Sequence, residues 1–264
     1  MKLSIITVNL NNKIGLQKTI DSVVAQTCKD FEWIIIDGES TDGSVELIKE
    51  TTQYINYWVS EPDNGIYNAM NKGIRVARGE YFLFLNSGDY LYECDVLMRV
   101  IPLLQETDFY VGYELIGNTI VKNDISTLAK TFYIITTSSL RHQSTFINRR
   151  VFLKYGLYRE DLKTCSDWYM FYKAIIMGNA TVEKLNFAIS VFDTNGISQS
   201  ELAISERERL FLEIPNIDHA IRFYYQNYDI VYALKKYRLF FFMFRVYYFF
   251  YRIWKTRKFV FHHA

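Results

Sequence analysis

The sequence is short of the residues that staple small folds together. It holds three cysteines, Cys28, Cys94 and Cys165, far apart, odd in number and without a CxxC pair. That excludes a disulfide framework and a cysteine-based zinc site, and it suits a reducing compartment. Charge is also sparse, at 22% of residues against 50% hydrophobic, which excludes a disordered chain and fits a globular enzyme. No internal repeat or low-complexity linker breaks the 264 residues, a length that allows one large domain or one domain with an appendage. The opening MKLSIITVNLNN has too short an apolar stretch for a signal peptide and runs into a polar turn, so it reads as a first strand. The expected location is the cytosol or the cytosolic face of a membrane.

Acidic residues are missing altogether after Asp229, whereas eight basic residues follow it: Lys235, Lys236, Arg238, Arg245, Arg252, Lys255, Arg257 and Lys258. Removing those eight from the net charge of +1 leaves residues 1–229 at −7, so a mildly acidic body carries a strongly basic tail. Such a split points to a tail partner of negative charge.

What is present is a regular alternation. Leu3 to Val8 is a β-branched apolar run closed by Asn9, Asn11 and Asn12, the pattern of a buried strand meeting a turn. Leu16, Ile20, Val23 and Val24 recur at helical spacing, and Phe31 to Ile36 is a second buried strand, completing a βαβ unit. The pattern goes on to predict a helix at Val45–Ile48, a strand at Tyr57–Val59, a helix from Ile66 to Ala77 and a strand at Tyr81–Leu85. Further strands are expected at Asp108–Tyr113, Thr119–Val121 and His142–Asn148, and a helix at Cys165–Met177. Alternation of this kind argues for an α/β fold with a mostly parallel, doubly wound sheet, whose ligands bind beyond the carboxyl ends of its strands. Two acidic loops, Asp37–Asp42 and Asn86–Asp89, directly follow expected strands and so should share that edge.

In the first loop, carboxylates and hydroxyls can accept hydrogen bonds from a base and a ribose; the same residues also make an ordinary turn in which Asp42 or Ser44 caps the next helix. In the second, an apolar strand delivers Asp89 into a turn, where a carboxylate-held Mg²⁺ or Mn²⁺ would neutralise a diphosphate leaving group. Asn-Ser-Gly-Asp is equally good turn chemistry on its own.

VNLNN, IIIDGESTDGS, EPDNGIYNAMNKGIRVARGEY and FLFLNSGD, in that order, resemble the family 2 glycosyltransferases of GT-A fold, particularly bacterial members that build surface polysaccharides. The resemblance spans roughly residues 1–200 and is most specific over 3–90. It implies inverting transfer of a sugar from a UDP-sugar to a saccharide or lipid-linked acceptor. On it, Thr7, Asn9, Asn11, Asp37 and Glu39 correspond to the nucleoside pocket, and Asp63 and Gly65 fall where the family closes over the nucleotide. Asn68, Asn71 and Lys72 lie on the adjoining helix, Lys72 facing either diphosphate or solvent. Asn86, Ser87 and Gly88 occupy the DXD region, with Asp89 at its metal position for Mn²⁺ or Mg²⁺. The family run is close to Asp-x-Asp-Asp, so Asn86 and Gly88 stand where it has acids and the ligand set is atypical. RHQSTFINRRVFLKYGLYREDLKTCSDWYMFYKA resembles the acceptor region and implies Asp167 as the general base. Asp167 could instead cap the following helix, and Asp161 is a rival carboxylate. His142 matches an HQ pair and would contact the donor or the metal, unless it is a structural hydrogen-bonding group. Asn195-Gly196-Ile197-Ser198 resembles a late loop near the donor.

These expectations divide the chain into a GT-A domain over 1–215, with a nucleotide-binding half at 1–90 and an acceptor-binding half at 91–215, and an aromatic, basic helical tail over 216–264. In RLFFFMFRVYYFFYRIW, Arg238, Arg245 and Arg252 recur every seven residues, a basic stripe drifting about 20° per step on a helix. The uncharged stretches fall well short of the roughly 20 residues of a spanning helix. An anionic membrane surface is the expected partner, the tail lying in the headgroup layer on the cytoplasmic face of the inner membrane. Packing on the domain and a homodimer contact are the alternatives; nucleic acid is not expected, because no recognition motif accompanies the charge. A nucleotidyltransferase would carry an N-terminal Gly-rich loop followed by basic residues, which is missing. The depleted DXD region keeps one other reading open, a non-catalytic sugar-nucleotide binding or scaffolding protein derived from the family.

Overall fold

Leu3–Asn9 forms the central strand β1, and each of its residues is buried. In the computed structural model, which describes residues 1–123, 125–126, 131, 134–135, 139–193, 205–207, 209–210 and 247, β1 is flanked on both sides in parallel. Its neighbours are β2 (Glu32–Asp37) and β4 (Tyr81–Phe84), both equally buried, and β3 (Tyr57–Ser60) pairs in parallel with β2. Strands covered on both faces need apolar runs rather than alternation, which is why these segments are rich in Ile, Leu and Phe. Helix α1 (Lys13–Val24) lays Leu16, Ile20 and Val23 against Leu3 and Ile5 on one face. After α2 (Ser44–Glu50), helix α3 (Ile66–Val76) covers the other. There Gly73 allows contact with β1, since a Cβ would lie 2.5 Å from Ile6 Cγ2.

Beyond β4 come β5 (Tyr90–Leu91), α4 (Val96–Val100), β6 (Phe109–Ile116), β7 (Thr119–Val121), β8 (Thr145–Asn148), α5 (Arg149–Tyr155), α6 (Ser166–Phe171) and β9 (Val182–Phe192). The sheet runs β3-β2-β1-β4-β8-β6-β9-β5, with β7 paired to β6. The α/β fold is as expected. The parallel arrangement belongs to its first half, and the second half is mixed: β8 is antiparallel to both β4 and β6, while β9 is parallel to β6. Antiparallel neighbours do not require a crossover helix, so strand alternation in the sequence did not reveal their direction.

Two elements change type within their expected spans. The strand expected from His142 opens as a 3₁₀ turn, His142–Ser144, because the Ser144 N–H and the Thr145 hydroxyl both bond back to the Arg141 carbonyl. The helix expected to Met177 is α-helical only to Phe171 and then widens into a π-helical stretch, Tyr172–Met177. The chain divides into a unit Met1–Glu206 and a unit Arg207–Ala264. The loop Asn195–Ser198 and, but for residue 247, the tail expected at 216–264 lie outside the described residues. No helix among the described residues is long and apolar enough to cross a membrane.

Candidate active site

The parallel register aligns Asn9 with Asp37 and Asp37 with Ser60 at the carboxyl edge of the sheet. Their side chains join there. The buried Asp37 carboxylate accepts Asn9 Nδ2 at 2.7 Å, the Ser40 N–H at 2.9 Å, the Ser40 hydroxyl at 2.6 Å and the Ser60 hydroxyl at 2.7 Å. Asp37 is thus a hub holding three loop starts together. Thr7 is buried behind it and accepts Trp33 Nε1 at 3.0 Å. The loops interlock further: Asn11 Oδ1 accepts the Thr41 N–H, and Asp42 accepts the N–H groups of Lys13 and Ser44. Asn11 and Glu39 take left-handed backbone at φ 48° and 63°, the strained conformation that often marks a functional loop. Exposed Glu39 rims an open cleft of about 610 Å³ that also contacts Ser40, Lys49, Trp58 and Ser60.

Asp63 closes over this edge, its Oδ2 so near Gly38 that a Cβ there would sit 2.6 Å away, while its Oδ1 accepts the Gly65 N–H. Lys72 braces the same loop by pairing with Glu61 at 2.7 Å and donating to the Pro62 carbonyl. Asn68 and Asn71 instead hold the chain at 158–160, through Glu160 and the Tyr158 carbonyl.

The 86–89 turn is tied to α1. Asn12 donates to the Ser87 carbonyl, and the Thr19 hydroxyl donates to the Asp89 carbonyl at 2.7 Å while accepting the Gly88 N–H. Gly88 has φ 106°, and a Cβ there would lie 2.6 Å from Asp193 Oδ2. Position 88, acidic in the resembled family, therefore faces a carboxylate that arrives from the end of β9. Pairing of β5 with β9 brings the two segments together, and the Asp193 N–H donates to Asp89 Oδ1 at 2.9 Å. Burial pushes the Asp89 pKa up to about 6, against the bond from Asp193 and the charge of His142. Among the described residues no group of three His, Cys, Asp or Glu is placed to hold a metal ion. Asp89 and the partnerless Asn86 Oδ1 are nevertheless hard oxygen donors of the kind Mg²⁺ and Mn²⁺ take, and phosphates and waters can complete such a shell. The residues fit a weakly held divalent ion.

Asp167, in the first turn of α6, does not cap it. Its Oδ1 accepts the Tyr67 hydroxyl at 2.8 Å and its Oδ2 lies 2.9 Å from His142 Nδ1. The other ring nitrogen, Nε2, is 3.2 Å from Asn86 Nδ2 in the 86–89 turn. His142 therefore has protein partners at both nitrogens and links the turn to the carboxylate. Burial alone would raise the Asp167 pKa, but the hydrogen bond and charge of His142 and the bond from Tyr67 outweigh it and hold the carboxyl below its usual range. For His142 burial acts downward, and its bond to Asp167 and the charges of Asp167 and Asp89 carry the pKa above 6.5. Asp161 pairs instead with Arg159 at the surface.

Tyr67, Glu114, Arg141, Asp193 and Glu206 were not picked out from the sequence. Glu114, buried on β6 opposite Ser190, pairs with Arg141 at 3.3 Å and accepts from Gln143; burial pushes its pKa up to about 7, with Arg141 opposing. A lone acid inside the apolar run FYVGYELI was a readable signal, because a charge in a buried strand is costly unless partnered. Asp193 also ends an apolar strand, as Asp37 does.

A carboxylate and a histidine beside a diphosphate-type turn suit proton transfer coupled to departure of a charged leaving group. Comparisons with known proteins place the family and the fold. The family model for glycosyl transferase family 2 matches residues 4–162. A PGL/p-HBAD biosynthesis glycosyltransferase of Mycobacterium bovis is 31% identical over 172 residues, covering 62% of this chain and 66% of its own, about two thirds of its length. A glycosyltransferase of Mycobacterium tuberculosis is 30% identical over 202 residues, 74% of this chain and 76% of its own. Among solved structures, residues 1–349 of Staphylococcus aureus TarS align with a TM-score of 0.69 at 21% identity, over 89% of this chain and 73% of that one. The fold is the GT-A arrangement, and the chain belongs to glycosyl transferase family 2.

Proposed function

We propose that the chain is an inverting glycosyltransferase that moves a sugar from a UDP-sugar to a saccharide or lipid-linked acceptor in surface-polysaccharide assembly. One observation carries this: the hydrogen-bonded run Tyr67–Asp167–His142–Asn86 connects a carboxylate to the turn that holds Asp89. Support for the donor class comes from TarS complexes with UDP and with UDP-GlcNAc, and from a Pyrobaculum calidifontis mannosyltransferase complexed with GDP-Man and Mn²⁺. Asp167 takes the proton of the acceptor hydroxyl as its oxygen attacks the anomeric carbon and the bond to the diphosphate breaks. Tyr67 and His142 hold the carboxylate in orientation. Mn²⁺ or Mg²⁺ at Asp89 would neutralise charge on the leaving diphosphate. The test is UDP release across a panel of UDP-sugars with membrane extract as acceptor, with and without Mn²⁺. Turnover supports the enzyme; no turnover with UDP still bound favours the second reading, a non-catalytic sugar-nucleotide binding protein, for which the single carboxylate of the 86–89 turn speaks.

Asp89→Ala should weaken Mn²⁺-dependent UDP binding at least about tenfold by calorimetry. Metal alone has a further signature. The raised Asp89 pKa means that its contribution to stability is full below 3.8 and is lost as pH rises through about 6, leaving a buried charge that a cation would offset. Mn²⁺ should therefore raise the melting temperature more at about pH 8 than at about pH 5, and Asp89→Ala should cancel the difference.

The Asp167–His142 pair predicts an acid limb. While His142 is charged it keeps Asp167 a weak base, so kcat/KM should rise as pH climbs through the raised His142 pKa, and His142→Gln should flatten that limb. Stability runs the other way for His142: the contribution of its raised pKa is full below 6.5 and is lost as pH climbs through the folded value. For Asp167, with its pKa depressed, the contribution is present above 3.8 and lost as pH falls through the folded value.

For the basic tail we propose peripheral attachment to the cytoplasmic face of the inner membrane. Replacing Arg238, Arg245 and Arg252 by glutamate in the full chain should abolish co-sedimentation with vesicles rich in phosphatidylglycerol; unchanged sedimentation would sink the idea.

A further inference from the structure

Glu206 is buried, and none of the roles above uses it. Its Oε1 accepts the Lys163 N–H at 2.8 Å, and its Oε2 accepts both the Thr164 N–H and the Thr164 hydroxyl at 2.8 Å and lies 3.2 Å from Cys165 Sγ. The donors are three consecutive residues, and the next two, Ser166 and Asp167, begin α6. Burial pushes the Glu206 pKa up, but the bonds from Lys163, Thr164 and Cys165 outweigh it and keep the carboxyl below its usual range, so the group is charged at neutral pH. From the other side, the Ser166 hydroxyl accepts the Arg159 N–H at 2.6 Å.

Helix α6 spans six residues, and its N-cap Cys165 makes no side-chain capping bond. Forming a first helical turn is unfavourable by itself, and where this one starts is decided by what holds the preceding loop. A carboxylate that gathers two successive amides and a hydroxyl does this as a cap would, except that it comes from a segment far along the chain. We infer that Glu206 is a positioning residue for Asp167: by gripping 163–165 it sets the first turn of α6, where Asp167 meets Tyr67 and His142. The inference rests on the reading of Asp167 as the base. A base displaced by about 1 Å can lose up to roughly a hundredfold in rate with donor binding unaltered.

Full-length Glu206→Gln tests this, because an amide offers one oxygen where two are used and turns an NH₂ toward a donor. The expected result is a kcat about tenfold lower with the KM for the UDP-sugar within about twofold, together with faster hydrogen exchange confined to peptides spanning 163–165. Unaltered exchange there overturns the clamp, and normal kcat despite faster exchange overturns the positioning role. If Glu206→Gln fails to fold, Thr164→Val, which removes only the hydroxyl bond, is read in its place: a lower kcat at unchanged KM supports the role and an unchanged kcat overturns it. Asp167→Asn, measured in parallel, separates the two failures. Turnover retained by that variant removes Asp167 as base and Glu206's role with it, whereas an inactive Asp167→Asn beside a fully active Glu206→Gln overturns the positioning role alone.

Discussion

Asp167→Asn should lower glycosyl transfer about a thousandfold or more while leaving UDP affinity within about twofold. The substitution keeps size and shape. Asparagine Oδ1 can still accept the Tyr67 hydroxyl, so the aromatic packing of Tyr67 on Tyr158, with ring centroids 5.5 Å apart, is undisturbed. What disappears is the capacity to take a proton, needed only as the acceptor oxygen attacks. The amide also turns a donor toward His142 Nδ1, 2.9 Å away, so the ring must present a lone pair there and carry its proton on Nε2, where the Asn86 amide has to turn its oxygen toward the ring in place of Nδ2. UDP release and UDP calorimetry on the same preparation decide the matter. Retained turnover takes the base role from Asp167; loss of UDP binding in step with turnover would make the residue part of the nucleotide pocket instead.

Removing Asp37 should do most damage to the fold. In Asp37→Ala the donors of Asn9, Ser40 and Ser60 lose their shared acceptor; Asn9 is buried, while Ser40 and Ser60 are half-buried at the open cleft and can turn partly to water. An unmet buried donor costs on the order of 1–3 kcal/mol and a half-buried one less, so a loss of about 3 kcal/mol in urea unfolding is expected. Nucleotide binding should fall with it, because the loops after β1, β2 and β3 lose the side chain that registers them against one another. Asp37→Asn, which keeps an acceptor on one side, should lie between the two. Loss of UDP binding at full stability would assign Asp37 to direct ligand contact rather than to the hub.

The two substitutions sit on opposite sides of what could be read in advance. Asp37 and Asp89 stood out because each follows an apolar strand that runs into turn chemistry, a local pattern with a local cause, and Asp167 through the resemblance of its segment to the family's acceptor region. Tyr67, His142 and Asn86 took on their roles only through partners far along the chain: the Tyr67–Asp167 bond joins residues 100 apart in sequence and the His142–Asn86 contact residues 56 apart. Nothing within a few residues of His142 says which groups its nitrogens will meet. Lys72 shows the converse, a cation beside the 61–65 loop whose charge is met by Glu61.

Sequence alone determined the βαβ frame, the edge at which its loops converge and the family, because burial period, turn residues and strand-end carboxylates act over a few residues and leave a mark in order along the chain. Tertiary structure alone decided the mixed second half of the sheet, the Asp193 carboxylate against Gly88, the pairing of Asp167 with His142 and the hold of Glu206 on 163–165. Each of these brings together groups whose energy depends on distance and desolvation across the fold, and a linear pattern carries no measure of either.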